Sequence, residues 1–336
     1  MTRNQGPIAE RPSGQEPARW PSVSVVMPCF NAEAFVGDAI RSILAQVYPG
    51  RLEILVIDDG STDASVRVAQ GFDLVRVLRQ SNRGPAAARN LGLANSSGEV
   101  LAFLDADDLW TPGSLTSRVE QLVTHSDTGV VFGNFTRWTP SAQPGEPDLE
   151  VPDRLPAHAL DALDLGWVYP TILLDPIVHI VATVVRRSVF DEVGGFDASL
   201  RTGEDYDFFI RASMKFRFRR VDRIVARYRQ HAASITRVPQ PGNNEYLVVS
   251  RAMERFGIVG PAGARVDPRL LQQRLHRMCF DHALQHLSTG DPAIAAGGFR
   301  RALRHDPWRA KAWLLAALAT VKGTLPRSRP GSMASS

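Results

Sequence analysis

Three short segments concentrate carboxylates where an apolar run ends or a helix begins. They are Asp58-Asp59-Gly60-Ser61-Thr62-Asp63 after Glu53–Ile57, Asp105-Ala106-Asp107-Asp108 after Val100–Leu104, and Glu204-Asp205 at the head of an amphipathic stretch. Carboxylates held close together repel strongly once they are partly shielded from water. Something must offset that charge. A hard divalent cation does so while accepting phosphate oxygens and water, the usual arrangement for bound Mg²⁺. A nucleotide's base and ribose can donate hydrogen bonds to the remaining oxygens. Turn and cap chemistry accounts readily for Asp63 and for one of Asp58 and Asp59, because Asp-Gly-Ser favours turns. It accounts poorly for three aspartates behind an all-apolar run. Glu204 and Asp205, taken alone, are ordinary favourable charges at a helix N-terminus.

The elements that must position these groups alternate between strand and helix. Val23–Met27, Glu53–Ile57, Leu74–Leu78, Val100–Leu104 and Gly129–Phe135 are short buried-strand runs. Between them, Phe35, Val36, Ala39, Ile40, Ile43 and Leu44 recur at helical spacing behind a cap at Asn31. Helices are also expected over 61–70, over 86–94, and after a Thr111 cap with Pro112 in first position. Such alternation implies an α/β fold, a mostly parallel sheet with helices on both faces. Ligands then sit outside the carboxyl ends of the strands, where the acidic segments lie.

Residues 136–166 are Pro-rich and acidic and read as a long loop or insertion. Beyond it the pattern predicts a strand over 178–186, a helical turn over 188–193, a helix over 204–214, and strands over 216–220 and 225–229. A Pro/Gly/Asn linker at 239–244 leads into a helical segment. The expected organisation is a tail over 1–21, a domain over 22–238 with halves at 22–135 and 136–238, a helical segment over 245–322, and a second tail over 323–336.

Composition narrows the partners. The chain has 336 residues, 44% hydrophobic and 22% charged, with a net charge of +4; this is an ordinary globular balance. Lysine occurs only at Lys215, Lys311 and Lys322, so nearly all the positive charge is arginine. A nucleic-acid binder needs basic and aromatic residues interleaved on one surface, whereas the strand-end edge here is acidic. No nucleic-acid partner is expected. The two cysteines, Cys29 and Cys279, offer neither a disulfide framework nor zinc spacing. No apolar signal core occupies the first twenty residues, and no run reaches membrane-spanning length. A cytoplasmic location follows as an expectation.

Four segments carry a resemblance: Val25-Val-Met-Pro-Cys-Phe-Asn31, Val56-Ile-Asp-Asp-Gly-Ser-Thr-Asp63, Asn82-Arg-Gly-Pro-Ala-Ala-Ala-Arg-Asn-Leu-Gly92 and Phe103-Leu-Asp-Ala-Asp-Asp108. In this order they resemble successive motifs of the family 2 glycosyltransferases. Val193-Gly-Gly-Phe-Asp197, Gly203-Glu-Asp-Tyr-Asp207 and Tyr228-Arg-Gln-His-Ala-Ala-Ser234 extend the likeness to about residues 22–235. The resemblance implies a GT-A fold and an inverting sugar transfer from a nucleotide diphosphate-sugar. The acceptor would be a glycan, a lipid-linked glycan or a protein.

It also implies roles. Pro28, Phe30, Asn31, Asp58, Asp59, Gly84, Arg89, Asp105 and Ala106 would face the nucleotide sugar, with Phe30 stacking on the base and Arg89 either phosphate-side or structural. Asp107 and His231 would hold a divalent cation, Mn²⁺ or Mg²⁺. Asp205 would be the general base, with Glu204 orienting nearby. Trp110, Gly194 and Gly195 would lie on the acceptor side, and Trp167 and Tyr169 would join the 137–164 loop in shaping acceptor choice. Ala233 stands where the family usually carries Gly or Asn, which weakens the likeness around His231.

In the helical segment, Ala283, Ala295, Phe299, Ala302 and Pro307 fall at positions resembling a tetratricopeptide repeat. Trp308, Trp313, Leu314 and Leu315 with flanking arginines would suit either helix packing or a peripheral contact with the inner membrane. Self-association also stays open for this segment. A catalytically silent nucleotide-sugar binder is the competing reading; it expects Asp107 or Asp205 to be lost, and both are present. A nucleotidyltransferase would need a Gly-rich, Lys-containing loop after the first strand, where none stands.

Overall fold

The computed structural model describes residues 19–139, 166–231 and 239–324. Its centre is an eight-stranded sheet. Strands β1 (Val23–Cys29), β2 (Leu52–Asp58), β3 (Val75–Arg79) and β4 (Val100–Phe103) run parallel to one another. Past β4 follow β7 (Thr183–Arg186), β6 (Thr128–Trp138), β8 (Arg217–Arg229) and β5 (Leu109–Trp110), giving the order β3-β2-β1-β4-β7-β6-β8-β5. The β4–β7, β7–β6 and β8–β5 pairings are antiparallel, and β6–β8 is parallel.

All residues of Val23–Met27 are buried. Both faces of β1 are therefore covered, as its unbroken apolar run requires. Helices α1 (Val36–Leu44), α2 (Ser65–Gln70), α3 (Pro85–Asn95) and α4 (Ser114–Thr124) supply much of the cover. Helices α5 (Tyr169–Leu174), α6 (Arg187–Val193), α7 (Glu204–Ser213) and α8 (Asn244–Phe256) complete the domain.

Several local expectations change. Helix α1 starts at Val36, not behind Asn31, which has φ 47° and whose Oδ1 accepts from the Thr62 amide at 2.9 Å. Thr111 does not cap α4: its hydroxyl donates to Ile224 O at 2.7 Å, and left-handed Gly113 precedes the helix. The two strands expected over 216–229 are the single β8. Between the Gly133↔Val221 and Asn134↔Ile224 pairs β8 advances three residues against one of β6, so the polar break was a bulge. The strand expected from 178 begins at Thr183, after a 3₁₀ turn at Ile180–Ala182. Trp20, placed in the N-terminal tail, lies edge-on to Tyr48. The insertion expected over 136–166 lies mostly outside the described residues.

The chain ends in α9 (Pro268–Thr289), α10 (Pro292–His305) and α11 (Ala310–Thr324). Asp267 and Asp291 accept from the second amides of α9 and α10, each with proline at the first position. Each cap is worth ~1 kcal/mol. Leu271, Leu275 and Met278 of α9 join the main core. Ala283, Ala295, Phe299, Ala316 and Ala319 form a second, smaller one between the helices.

Candidate active site

The site lies at the carboxyl ends of β1, β2 and β4, closed by the start of α7 and the end of β8. The chain leaves β2 through Asp58 and Asp59, both buried. Asp58 accepts from the Ser61 amide and from Arg79 Nε, each at 3.1 Å. Asp59 takes three internal donors: Gln80 Nε2 at 2.7 Å and the amides of Arg83 and Gly84 at 2.8 Å. Its carboxylate thus holds the 80–84 loop in shape. Gly84 sits at φ 87° with open space where a Cβ would stand, so a ligand could approach its backbone closely. Phe30, after β1, is 47% exposed, and Asn31 is tied to Ser61 and Thr62 beside it. Pro28 is half-buried at the end of β1, and Ala106 is buried.

The turn after β4 is braced from β8. The Asp108 amide donates to Asp105 O at 3.0 Å. Arg229 Nε donates to Asp107 O at 2.7 Å, and the Arg229 amide donates to Asp108 Oδ1 at 2.8 Å. The Arg229 guanidinium is packed between Phe35 and Trp138, 4.9 and 4.5 Å from their ring centres. Asp108 is fully buried and its carboxyl is pushed well up by that burial and by Asp105 and Asp107. It is a structural member of the cluster. Asp107 stays a third exposed, and its Oδ2 lies 2.9 Å from His231 Nε2. Burial, and then the Asp105 charge, raise the Asp107 carboxyl, while His231 pulls it back down.

Arg89, in α3, ties the two halves of the domain together. Its guanidinium is buried, donating to Asp105 Oδ1 at 2.6 Å and, through the other terminal nitrogen, to Glu204 Oε1. Asp105 and Glu204 keep it protonated against the cost of burial. Of the two roles open to Arg89, the structural one is therefore occupied. Asn90, beside it, pairs with the Phe196 backbone through both side-chain atoms, at 2.8 and 2.9 Å. A Cβ on Gly195 would stand 2.4 Å from Asn90 Oδ1. The Gly194-Gly195-Phe196 turn is thereby locked against α3.

Glu204 and Asp205 begin α7. Asp205 is half-buried, its Oδ1 accepting from the Tyr206 amide at 2.8 Å. Its charge acts on Arg89, Glu204 and His179, which puts it in the same cleft as Asp105. Burial pushes the Glu204 carboxyl from 4.5 up to about 7, opposed by Arg89 and helped by Asp205. Between those values the folded chain holds a proton that the unfolded chain has released. This group therefore lowers stability as pH rises from about 4.5 to about 7. Glu204→Gln is expected to flatten the fall in Tm across that window. A slope equal to the native one would mean that Glu204 is ionised in the fold throughout.

Two expected acceptor-side residues are placed elsewhere. Trp110 is buried, its indole N–H donating to Val181 O at 2.8 Å and its ring 4.7 Å from the Arg118 guanidinium. Tyr169 is buried too, its hydroxyl donating to Gly257 O at 2.7 Å. Both are core residues, because β5 and α5 fold inward. Trp167 is half-buried. Two residues of the site were given no role from the sequence. One is Arg229, which stands inside the motif that begins at Tyr228. The other is His179, whose ring packs on Phe135 and Tyr228 and is held neutral by burial although Asp205 and Asp105 favour its charged form. His179 sits in an apolar run, so only its contacts reveal it.

Among the described residues no three His, Cys, Asp or Glu side chains converge as a cage for a cation. Asp107 and His231 are the donors in contact. One or two protein ligands suffice where phosphate oxygens complete the shell, and a carboxylate destabilised by Asp105 would gain from a cation. The donor set fits that kind of site.

Residues 24–157 match the family model described as Glycosyl transferase family 2. An uncharacterised glycosyltransferase of Nostoc sp. is 40% identical over 114 residues, 32% of this chain and 35% of the relative. The succinoglycan biosynthesis protein ExoU of Rhizobium meliloti is 30% identical over 207 residues, 56% of each chain. The matched stretches thus span about a third and just over half of those two relatives' own lengths. In fold, the chain is similar to the mannosyltransferase PcManGT of Pyrobaculum calidifontis, solved with GDP-Man and Mn²⁺. The TM-score is 0.58 at 21% identity, covering 90% of this chain and 87% of that one. It is also similar to S. aureus TarS 1-349 with UDP-GlcNAc, at TM-score 0.57 and 17% identity, covering 90% and 88%.

Proposed function

We propose, for a chain that belongs to the family 2 glycosyltransferases, an inverting transfer of a sugar from a nucleotide diphosphate-sugar to a hydroxyl acceptor. The observation that carries this reading is the Arg89 bridge. It joins Asp105, on the nucleotide-side strands, to Glu204, beside Asp205, on the other half of the domain. A donor held on the first half would thereby present its anomeric carbon to an acceptor held by the second.

On the donor side, exposed Phe30 offers a face for a base. The Asp59-braced loop presents Gly84's open backbone. Asp107 and His231 would hold a divalent cation, which supplies charge neutralisation for the departing nucleoside diphosphate.

On the acceptor side, Asp205 takes the hydroxyl proton as that oxygen attacks the anomeric carbon. The new C–O bond forms while the bond to the phosphate oxygen breaks, and attack from the opposite face inverts the centre. Glu204 is a positioning residue. Held by Arg89, it fixes the first turn of α7 and hence the direction of Asp205. The acceptor class supported by the relatives is a bacterial glycan or its lipid-linked precursor, since one of them bears the name of succinoglycan biosynthesis.

The test is a turnover screen of purified protein against uridine- and guanosine-diphosphate sugars, with Mn²⁺, Mg²⁺ or EDTA. The named ligands of the two fold relatives put UDP-GlcNAc and GDP-mannose first. One donor should be consumed in the presence of metal and spared in EDTA. Turnover indifferent to EDTA would remove the cation from the reading; binding without any turnover would leave a silent nucleotide-sugar binder.

A further inference from the structure

The C-terminal helices carry an exposed apolar surface. Helix α11 buries Ala312, Ala316 and Ala319 and turns Trp313, Leu314, Ala317, Leu318 and Val321 to the outside. Those five recur at helical spacing along one stripe. Trp313 is 59% exposed, Leu314 70%, and Trp308 just before the helix 91%. A soluble helix ordinarily shows the reverse pattern, with small residues hidden only where large ones are hidden too.

Beside the stripe lies a groove of about 620 Å³, lined among others by Arg277, Lys311 and Phe280, with Arg274 and Arg309 also on its wall but paired to Glu245 and Asp306. Residues 268–324 hold nine Arg or Lys against three Asp and no Glu. Lys311 lies 5.7 Å from the centre of the Phe280 ring.

We propose that α11 and this groove dock the protein on an anionic lipid bilayer, with Trp308 and Trp313 at headgroup depth and the cations over lipid phosphates. The chemistry of the patch fits such a surface: an apolar stripe with aromatic residues at one end and a cationic rim. Spanning is excluded by length, since fifteen helical residues reach about 22 Å against the roughly 30 Å of a hydrocarbon core. No helix among the described residues is long and apolar enough to cross. A second copy suits the patch less well, because a two-fold contact would set the same cationic rims against each other.

The experiment is flotation of the full chain with vesicles of phosphatidylcholine, and of an equal mixture of phosphatidylcholine and phosphatidylglycerol. Binding is read without a donor, so it stands apart from the success or failure of the turnover screen. Native protein should float with the mixed vesicles and not with the neutral ones, with a blue shift of tryptophan emission. Trp308→Ser/Trp313→Ser should abolish the shift and the flotation. Arg277→Ser/Lys311→Ser should weaken binding by about twenty-five-fold, at roughly fivefold per cation. All four side chains lie outside the catalytic cleft, so Tm and donor turnover in solution should match the native protein. Equal flotation with neutral vesicles, or native binding in the tryptophan variant, overturns the proposal. So does a concentration-dependent dimer, measured by light scattering, that the tryptophan variant loses while no vesicle binding is seen.

Discussion

Asp205→Asn is expected to lower kcat for sugar transfer by about 10²–10⁴-fold, the usual contribution of a positioned general base, with donor affinity unchanged. Asparagine is nearly isosteric, and its Oδ1 can still accept from the Tyr206 amide as the Asp205 carboxylate does at 2.8 Å. The first turn of α7 therefore stays in place, and so does the neighbouring Arg89–Glu204 link. What the variant loses is the capacity to take up a proton from the acceptor. The measurement is steady-state transfer alongside equilibrium titration of the donor found in the screen. A kcat within a few-fold of native would hand the proton to another group, and His179 would be the next to test, since it feels the Asp205 charge in the same cleft.

Asp107→Ala should be comparably severe but should fail differently. A bound cation supplies several kcal/mol of charge stabilisation to a departing phosphate, so a loss of about 10²–10³-fold in kcat/KM is expected. Metal dependence should vanish with it. The backbone bracket from Arg229 Nε to Asp107 O does not involve the deleted carboxylate, so the turn should persist and Tm should change little. Deleting the carboxylate also removes a repulsive neighbour of Asp108, whose carboxyl Asp107 helps to push up. The decisive comparison is titration of Mn²⁺ into native and variant protein with the donor present. Native-like metal activation in Asp107→Ala would exclude this carboxylate as a ligand.

Much of the framework was legible from residue order. The four parallel strands came from short apolar runs, and the acidic segments were located because they interrupt those runs at the strand ends. Where the reading went astray, the cause was tertiary. A bulge in β8 broke its pattern with Asp222 and Arg223, so one strand looked like two. Trp110 follows the acidic cluster closely enough to suggest a ligand wall, yet pairing of β5 with β8 turns it inward onto Arg118. Asn31 has the chemistry of a cap and instead spends its side chain on the loop after β2.

By itself, the sequence determined the α/β class, the acidic rim and the likeness to a sugar-transferring family, because strand runs and their terminating residues are local features. Only the tertiary structure decided that Arg89 reaches Glu204 across 115 positions, that Arg229 holds the turn carrying Asp107, and that α11 leaves its large apolar side chains uncovered. Those outcomes depend on which elements become neighbours, and burial and long-range charge pairing have no signature in any short stretch of chain.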